Sequence, residues 1–394
     1  MAEANAGGGA ELRSGFGARA PERVPPASVI ARAPAKINLA LRVGARRADG
    51  FHPLNTLFHA VDLWEQVTVL SLWQPRGANN GDHSEPAPAG GPYDRAVVAG
   101  RGAAAVPTGA VPAGLGDGAG GGGLEPGSPR GWRGQASGDQ VTVTGRGAAA
   151  VPTGWDNLAL RAAALLRRVG GPLPRLVLAP VRLEIAKAIP VAGGLAGGSA
   201  DAAAALLALN QLWGLGLGQD CLVGLAAELG SDVPFAVRGG NCAGQGRGER
   251  LETLASGGPL HWVLATSRSG LSTPAVFREF DALTPGRAPE PPPVPAALVE
   301  GLRRGDPEMV GDHLVNDLEP AAFALRPELE GLVRAALEAG ACGAVVSGSG
   351  PTVACLAAGQ AGAAALAGRL AKVHTAGEIL LASGPATTPP PRPR

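Results

Sequence analysis

The stretch "IPVAGGLAGGSADAAAALL", residues 189–207, limits the fold more than any other part of the chain. Four glycines, Gly193, Gly194, Gly197 and Gly198, fall within six residues and run into Ser199 and an alanine–leucine segment. Glycine lets backbone amides approach an anion closely. The helix that follows opens with unpaired N–H groups and the positive end of its dipole. Read on its residues alone, the segment is either a phosphate cradle or a tight turn that lets a helix pack closely. The Gly-Lys-Ser/Thr ending of the common nucleotide loop is absent, so a phosphate site here needs its cation from elsewhere in the chain.

Composition narrows the partner classes. Formal net charge is +1 with no basic tract, which gives no reason to expect nucleic acid as a partner. Cys221, Cys242, Cys342 and Cys355 form no C-x-x-C pair and no metal spacing. No signal-peptide pattern is present, and no apolar run approaches the ~20 residues of a membrane span. The expectation is a cytoplasmic protein with reduced thiols.

The 61 glycines and 36 prolines of this 394-residue chain cluster instead of spreading evenly. Their clusters mark 1–29 as a disordered tail, 74–139 as a solvent-exposed low-complexity insertion and 385–394 as a Pro-rich tail. "GRGAAAVPTG" occurs at 100–109 and again at 145–154, which reads as a local duplication. Between these segments the pattern is regular. "AKINLALRV" alternates with period two and predicts a strand with Ile37, Leu39, Leu41 and Val43 on one buried face and Lys36 and Asn38 side by side on the other. Further strands are predicted at "EQVTVLSL", "QVTVTG", "VRLEIAKAIPV", "HWVLATS" and "GEILLAS", and on both sides of the glycine turn in "GAVVSGSGPTVACLA". Helices are predicted at "DNLALRAAALLRRVG" with Asp156 as cap, from the glycine loop to near Gly214, at "QDCLVGLAAELG" and at "AGAAALAGRLAKV". Two or three more follow the Pro-rich stretch 286–295. "SDVPFAV" reads as a loop and "GNCAGQGRGERLETL" as a hairpin. Helices and antiparallel strands mix without a βαβ rhythm, so the class is α+β.

Taken singly, the residues able to do chemistry have ordinary explanations. Lys36 fits an edge-strand lysine reaching solvent, and Asp232 in "LGSDVPF" fits a turn or N-cap aspartate. Asp201 fits capping of the helix after the glycine loop. Phe51 and His52, after the Asp49-Gly50 turn, fit loop aromatics packed on the core, and Phe277 fits the core itself. "SGSGPT" at 347–352 fits a hairpin turn.

Together and in order these blocks resemble one family. "PAKINLALRVGARRADGFHPLNTLF" (34–58), "IPVAGGLAGGSADAAAALLALNQLW" (189–213), "LGSDVPFAVRGG" (229–240) and "VSGSGPTVACL" (346–356) are similar to the blocks of the GHMP small-molecule kinases. The resemblance covers about 30–75 and 140–385. The first block points to the branch that acts on a cytidine diphosphate-linked sugar alcohol in isoprenoid precursor synthesis. Homoserine and mevalonate kinases share the glycine loop but not that block. The resemblance implies a two-lobed α+β fold, with an N-terminal lobe at 30–258, a C-terminal lobe at 259–384 and a cleft between them.

It also implies an ATP-dependent phosphoryl transfer to a hydroxyl, with Mg²⁺ as the metal. The ATP phosphates would lie on Pro190, Val191, Ala192, Gly193, Gly194, Leu195, Ala196, Gly197, Gly198, Ser199 and Ala200, with Ser199 facing the metal. Lys36 and Asp232 would be catalytic, Lys36 stabilising charge and Asp232 orienting the hydroxyl or taking its proton. Asn38, Phe51, His52, Thr273 and Phe277 would bind substrate, with His52 at the cytosine edge. Phe51 stands where the family often has tyrosine, so the ring would stack on cytosine without a phenol. Ala196 replaces a frequent glycine, and its methyl calls for a negative φ. The implied partner is a small molecule, with no nucleic acid or membrane, and the implied state is a monomer or homodimer. A catalytically silent ligand sensor on the same fold would be expected to lack Lys36 or Asp232; both are present.

Overall fold

Two long antiparallel strands, β1 (Ser28–Val43) and β2 (Leu54–Ser71), frame the first sheet of the computed structural model, which describes residues 27–72, 138–170 and 178–394. Asp49 and Gly50 turn the chain between them. Phe51 N–H donates to Asp49 Oδ1 at 2.9 Å, and Gly50 takes a φ of +85°. Register shifts between Pro34 and Ala35 and between Asn38 and Ala40 bracket Lys36 and Asn38. Such bulges bend a strand and re-aim its side chains. The sheet continues with β3 (Gln140–Gly145), β4 (Val181–Lys187), β5 (Asn241–Gly246) and β6 (Arg250–Leu254). β4 pairs with the second half of β2, and β3 runs parallel beside β4. The β5–β6 hairpin pairs with the first half of β2, from Leu54 to His59.

Four helices belong to this part: α1 (Leu158–Gly170), α2 (Gly197–Leu212), α3 (Gln219–Ala226) and α4 (Val233–Arg238). α2 is buried nearly all round, through Ala200, Ala202, Ala203, Ala204, Leu206 and Leu209 among others. Alanine allows this, because a small side chain on every face lets neighbouring backbones come close. α1 is started by Asn157, whose Oδ1 accepts from Ala159 N–H at 2.9 Å, and not by the expected Asp156. "SDVPFAV" is a short helix instead of a loop. Pro234 stands in its first turn, where the missing N–H costs nothing.

β7 (Leu260–Ala265) opens the second sheet. It is followed by α5 (Thr273–Leu283), α6 (Ala296–Arg304), α7 (Pro307–Asp312), β8 (Val315–Asn316), α8 (Glu319–Leu325) and α9 (Glu328–Glu338). The chain then forms β9 (Gly343–Val346), β10 (Val353–Ala357), α10 (Gln360–Leu370) and β11 (Ile379–Gly384). Four helices thus stand between the Pro-rich stretch and β9, where two or three were expected. The order β11-β7-β10-β9 is antiparallel throughout. Its core joins Val263, Val353 and Cys355 to Leu329, Leu366 and Leu370.

The expected division at 258 is not clean. β8 lies parallel to β1, with Ala40 opposite Val315 and Leu41 opposite Asn316, so a segment from late in the chain joins the first sheet. β12 (Arg392–Pro393) pairs with Val29 and Ile30 of β1. The Pro-rich end (385–394) is therefore a docked strap. Its missing N–H groups suit an edge position, where no ladder partner is needed. The described residues of both sheets fall in one compact unit. Of the expected tail 1–29, only 27–29 are described, and Ser28 and Val29 already belong to β1. The expected insertion 74–139 lies outside the described residues apart from 138 and 139, and so does the first copy of the repeated decapeptide. Among the described residues no helix is long and apolar enough to cross a membrane.

Candidate active site

A cavity of about 520 Å³ opens where the two sheets meet. β1 is buried on both faces, not one: Lys36 is 5% exposed and Asn38 3%. Their face of the strand forms the cavity floor. Lys36 Nζ donates to Asn38 Oδ1 at 2.5 Å, Asn38 Nδ2 donates to Thr56 Oγ1 at 2.8 Å, and Thr56 Oγ1 donates to Ala40 O at 2.7 Å. This chain of donors fixes the lysine rotamer. Asp232 Oδ2 stands 4.0 Å from Lys36 Nζ. Asp232 occupies the N-cap position of α4, but its carboxylate accepts no capping hydrogen bond and faces the lysine instead. Burial lowers the Lys36 pKa below its ordinary value, and the charge of Asp232 pulls it back upward.

The glycine loop lies against this pair. Lys36 N–H donates to Leu195 O at 3.2 Å, which ties the loop to β1 beside the catalytic candidates. The "SGSGPT" turn between β9 and β10 closes over the loop. Ser347 Oγ donates to Gly194 O at 3.1 Å, and Thr352 N–H donates to Gly193 O at 3.3 Å. A Cβ on Gly194 would lie 2.2 Å from Ser347 O, and one on Gly348 would lie 2.9 Å from Lys36 Nζ. These two positions need glycine because the backbones and the ammonium meet there. Asn316 of β8 holds the turn, donating from Nδ2 to Val346 O at 2.7 Å and to Gly348 O at 2.8 Å.

Within the loop, Ala192, Gly193, Gly194, Ala196, Gly197 and Gly198 line the cavity. Leu195 and Ala200 are fully buried and point into the core. Val191 packs toward Gly147, and Pro190 is half-buried behind Gly193. Gly198 faces open space at the start of α2, and Ser199 is half-buried in the first turn. The negative φ expected at Ala196 is not found: its φ is +59°, and Ala192 has +53°. Each alanine in this region costs about 1–2 kcal/mol relative to its right-handed form. The loop keeps its left-handed path because its carbonyls are already held by Lys36, Ser347 and Thr352.

The substrate-side candidates are brought together only in part. Thr273 and Phe277 line the cavity, and the Thr273 hydroxyl lies 2.8 Å from that of Ser349. His52 stacks on Phe277 with ring centroids 4.8 Å apart, and its Nε2 lies 2.7 Å from Asp281 Oδ1. It thus stands behind the cavity wall, with one nitrogen already engaged. Phe51 is 48% exposed, and the guanidinium carbon of Arg247 sits 5.3 Å from its ring centroid.

Sequence reasoning missed a charged cluster beneath the loop. Lys187 Nζ lies 2.7 Å from both Glu65 Oε1 and Asp201 Oδ2. Glu65 also accepts the N–H groups of Ala188 and Ile189, each at 3.1 Å. Asp201 is therefore no cap but half of a buried ion-pair network that joins both ends of the loop. Burial raises the Asp201 pKa to about 7 and raises that of Glu65 too, while Lys187 opposes both shifts. A signal existed: Lys187 continues the buried phase of Val181, Leu183 and Ile185, Glu65 falls in phase with Val67 and Val69, and Lys187 lies just before the glycine loop. Thr56 and Asn316 offered no comparable pattern.

Comparison with known proteins is consistent with this geometry. Residues 157–240 match the GHMP kinases N terminal domain, and 298–375 match the GHMP kinases C terminal domain. A 4-diphosphocytidyl-2-C-methyl-D-erythritol kinase of Nocardia farcinica is 42% identical over 362 residues, covering 92% of this chain and 95% of the relative. One of Thermobifida fusca is 44% identical over 360 residues, covering 91% and 97%. A crystal structure of 4-(cytidine 5'-diphospho)-2C-methyl-D-erythritol kinase superposes with a TM-score of 0.58 at 28% identity, covering 90% of this chain and 98% of that one. A homoserine kinase from Cytophaga hutchinsonii shares the fold, with a TM-score of 0.59 at 17% identity and coverage of 94% and 98%.

Proposed function

Since this chain belongs to the 4-diphosphocytidyl-2-C-methyl-D-erythritol kinases, a branch of the GHMP kinases, we propose that its cleft carries the γ-phosphoryl group of ATP to the 2-hydroxyl of 4-diphosphocytidyl-2-C-methyl-D-erythritol. The chain is an ATP-dependent small-molecule kinase of isoprenoid precursor biosynthesis. The observation that carries the assignment of roles is the Lys36–Asp232 pair, 4.0 Å apart and facing a glycine loop that opens a helix.

Phosphoryl transfer needs little covalent help from a protein. Positioning and charge stabilisation supply most of the catalysis. The backbone N–H groups at the start of α2 bind the ATP phosphates. Lys36 stabilises the charge that develops between the acceptor oxygen and the transferred group. Asp232 orients the acceptor hydroxyl and takes its proton. Thr273 and Phe277 bound the acceptor on the far wall, and Asn38 holds Lys36 in place.

Magnesium fits as an ion carried in on the nucleotide. Among the described residues no group of three His, Cys, Asp or Glu side chains could hold a metal, and Glu65 and Asp201 are committed to Lys187. Ser199, at the open start of α2, is the residue that would hold the ion together with ATP phosphates. When bound, the ion offsets charge on the transferring phosphoryl group. We place the enzyme in the cytoplasm as a monomer or homodimer acting on a diffusing small molecule, a reading supported by its near-zero net charge and free cysteines.

The test is ADP release with ATP, magnesium and 4-diphosphocytidyl-2-C-methyl-D-erythritol, with homoserine and mevalonate as competing acceptors. Turnover confined to the cytidylyl acceptor is expected. Equal or faster turnover of homoserine or mevalonate would reassign the chain within the GHMP kinases.

A further inference from the structure

Among the described residues two cations line the cavity, and the mechanism uses only one of them. Lys36 is spent on Asn38 and Asp232. The other is Arg247, on the turn between β5 and β6. The β2–β5 register puts Gly246 opposite Leu54, so Arg247 rises beside the 51–54 segment. Its guanidinium lies over the exposed ring of Phe51 and forms no ion pair among the described residues. The turn that carries it is well held. Arg247 N–H donates to Glu249 Oε2, and Gly248 packs on Phe58. The side chain is therefore a fixed-base arm carrying an uncommitted positive charge at the cleft rim.

An uncommitted arginine over an aromatic face suits a flat base linked to a diphosphate. The guanidinium can fork onto phosphate oxygens, and its plane stacks on rings. Among the described residues Asp232 is the one carboxylate on the cavity wall, and Lys36 already faces it. An acceptor bearing a diphosphate brings negative charge that neither residue offsets. We propose that Arg247 is a specificity-determining residue that binds the diphosphate of the cytidylyl acceptor and selects it over uncharged alcohols. The proposal rests on the functional reading above and adds the group that recognises the charged part of the substrate. The ATP phosphates are read onto the glycine loop, whereas Arg247 stands on the separate β5–β6 turn.

The experiment compares steady-state kinetics of the full-length wild type, Arg247→Ala and Arg247→Lys, with the acceptor and ATP varied separately. The alanine variant is expected to raise KM for the acceptor roughly ten- to hundredfold, as loss of a charge-assisted contact does. Its kcat and its KM for ATP should stay near wild type. Lysine should restore part of the loss, because it keeps the charge without the fork. Arg247 is exposed on a turn, so both variants should fold, and thermal melting checks this. An unchanged acceptor KM, or an equal rise in the KM for ATP, would overturn the assignment. Failure of the wild type to phosphorylate this acceptor would instead overturn the underlying reading, so the two failures are distinguishable.

Discussion

Burial gives Lys36 a titration that an ordinary surface lysine lacks. Its ammonium is disfavoured by desolvation and partly restored by Asp232. The group therefore loses its proton at a pH below the usual lysine value of 10.5. Catalysis that needs the ammonium must then fall along an alkaline limb placed below that value. Lys36→Arg keeps a charge that does not titrate in this range. Whatever activity this variant retains should show no such limb, as measured by kcat between neutral and alkaline pH. A limb unmoved by the substitution would assign the titration to another group. Removing the carboxylate tests its partner. Asp232→Ala should lower kcat by about 10²–10⁴-fold, the scale of a lost general base. Acceptor binding measured by calorimetry should persist. A variant with normal kcat would remove Asp232 from the mechanism.

At the scale of elements, the glycine loop is a segment held at both ends by one buried charge network. Glu65 of β2 grips the loop entry through Ala188, Ile189 and Lys187, and Lys187 grips Asp201 in the first turn of α2. The Asp201 carboxyl moves from 3.8 to about 7 on folding. In that interval the folded chain keeps a proton that the unfolded chain releases. The stability this proton contributes is full below the unfolded value and is lost as pH rises through the folded one. Asp201→Asn cannot titrate, so its unfolding free energy relative to wild type should improve steadily from acid to neutral pH in denaturant melts. Parallel profiles would show that Asp201 stays ionised throughout. This network also shows what the sequence could and could not tell. Period-two alternation found β1, β3 and β4, because apolar burial leaves a regular trace. The same alternation placed Lys36 and Asn38 on a single face, yet it could not show that this face is buried as well. Nothing local to Asp201 separated a helix cap from an ion pair, because the distinction depends on a lysine 14 residues away.

Across the whole molecule, the order of segments in space departs from their order in sequence, and two late segments join the first sheet. β8 is too short to show a pattern and joins β1 only through tertiary pairing. The Pro-rich end, read as a tail from composition, returns from the second sheet to brace the first. Ala386 N–H donates to Ala60 O at 2.9 Å, Gly240 N–H to Ala386 O at 2.8 Å, and Arg394 N–H to Ser28 O at 3.1 Å. Thr388 Oγ1 donates to Ala236 O at 3.0 Å, inside α4. Ala386 also packs with Phe58, Phe235 and Cys242. α4 begins directly after Asp232, so the strap braces the helix that aims the carboxylate at Lys36. Ending the chain at Gly384 should cost about 3–4 kcal/mol in denaturant unfolding, at roughly 1 kcal/mol net per hydrogen bond. It should also lower kcat more than it raises the KM for ATP. The glycine loop keeps its own anchors at Lys36, Glu65 and the 347–352 turn, residues with which the strap makes none of these bonds, whereas α4 loses its bond through Ala236. If affinity for ATP fell as far as kcat did, the strap would be bracing the body as a whole and not the orientation of Asp232.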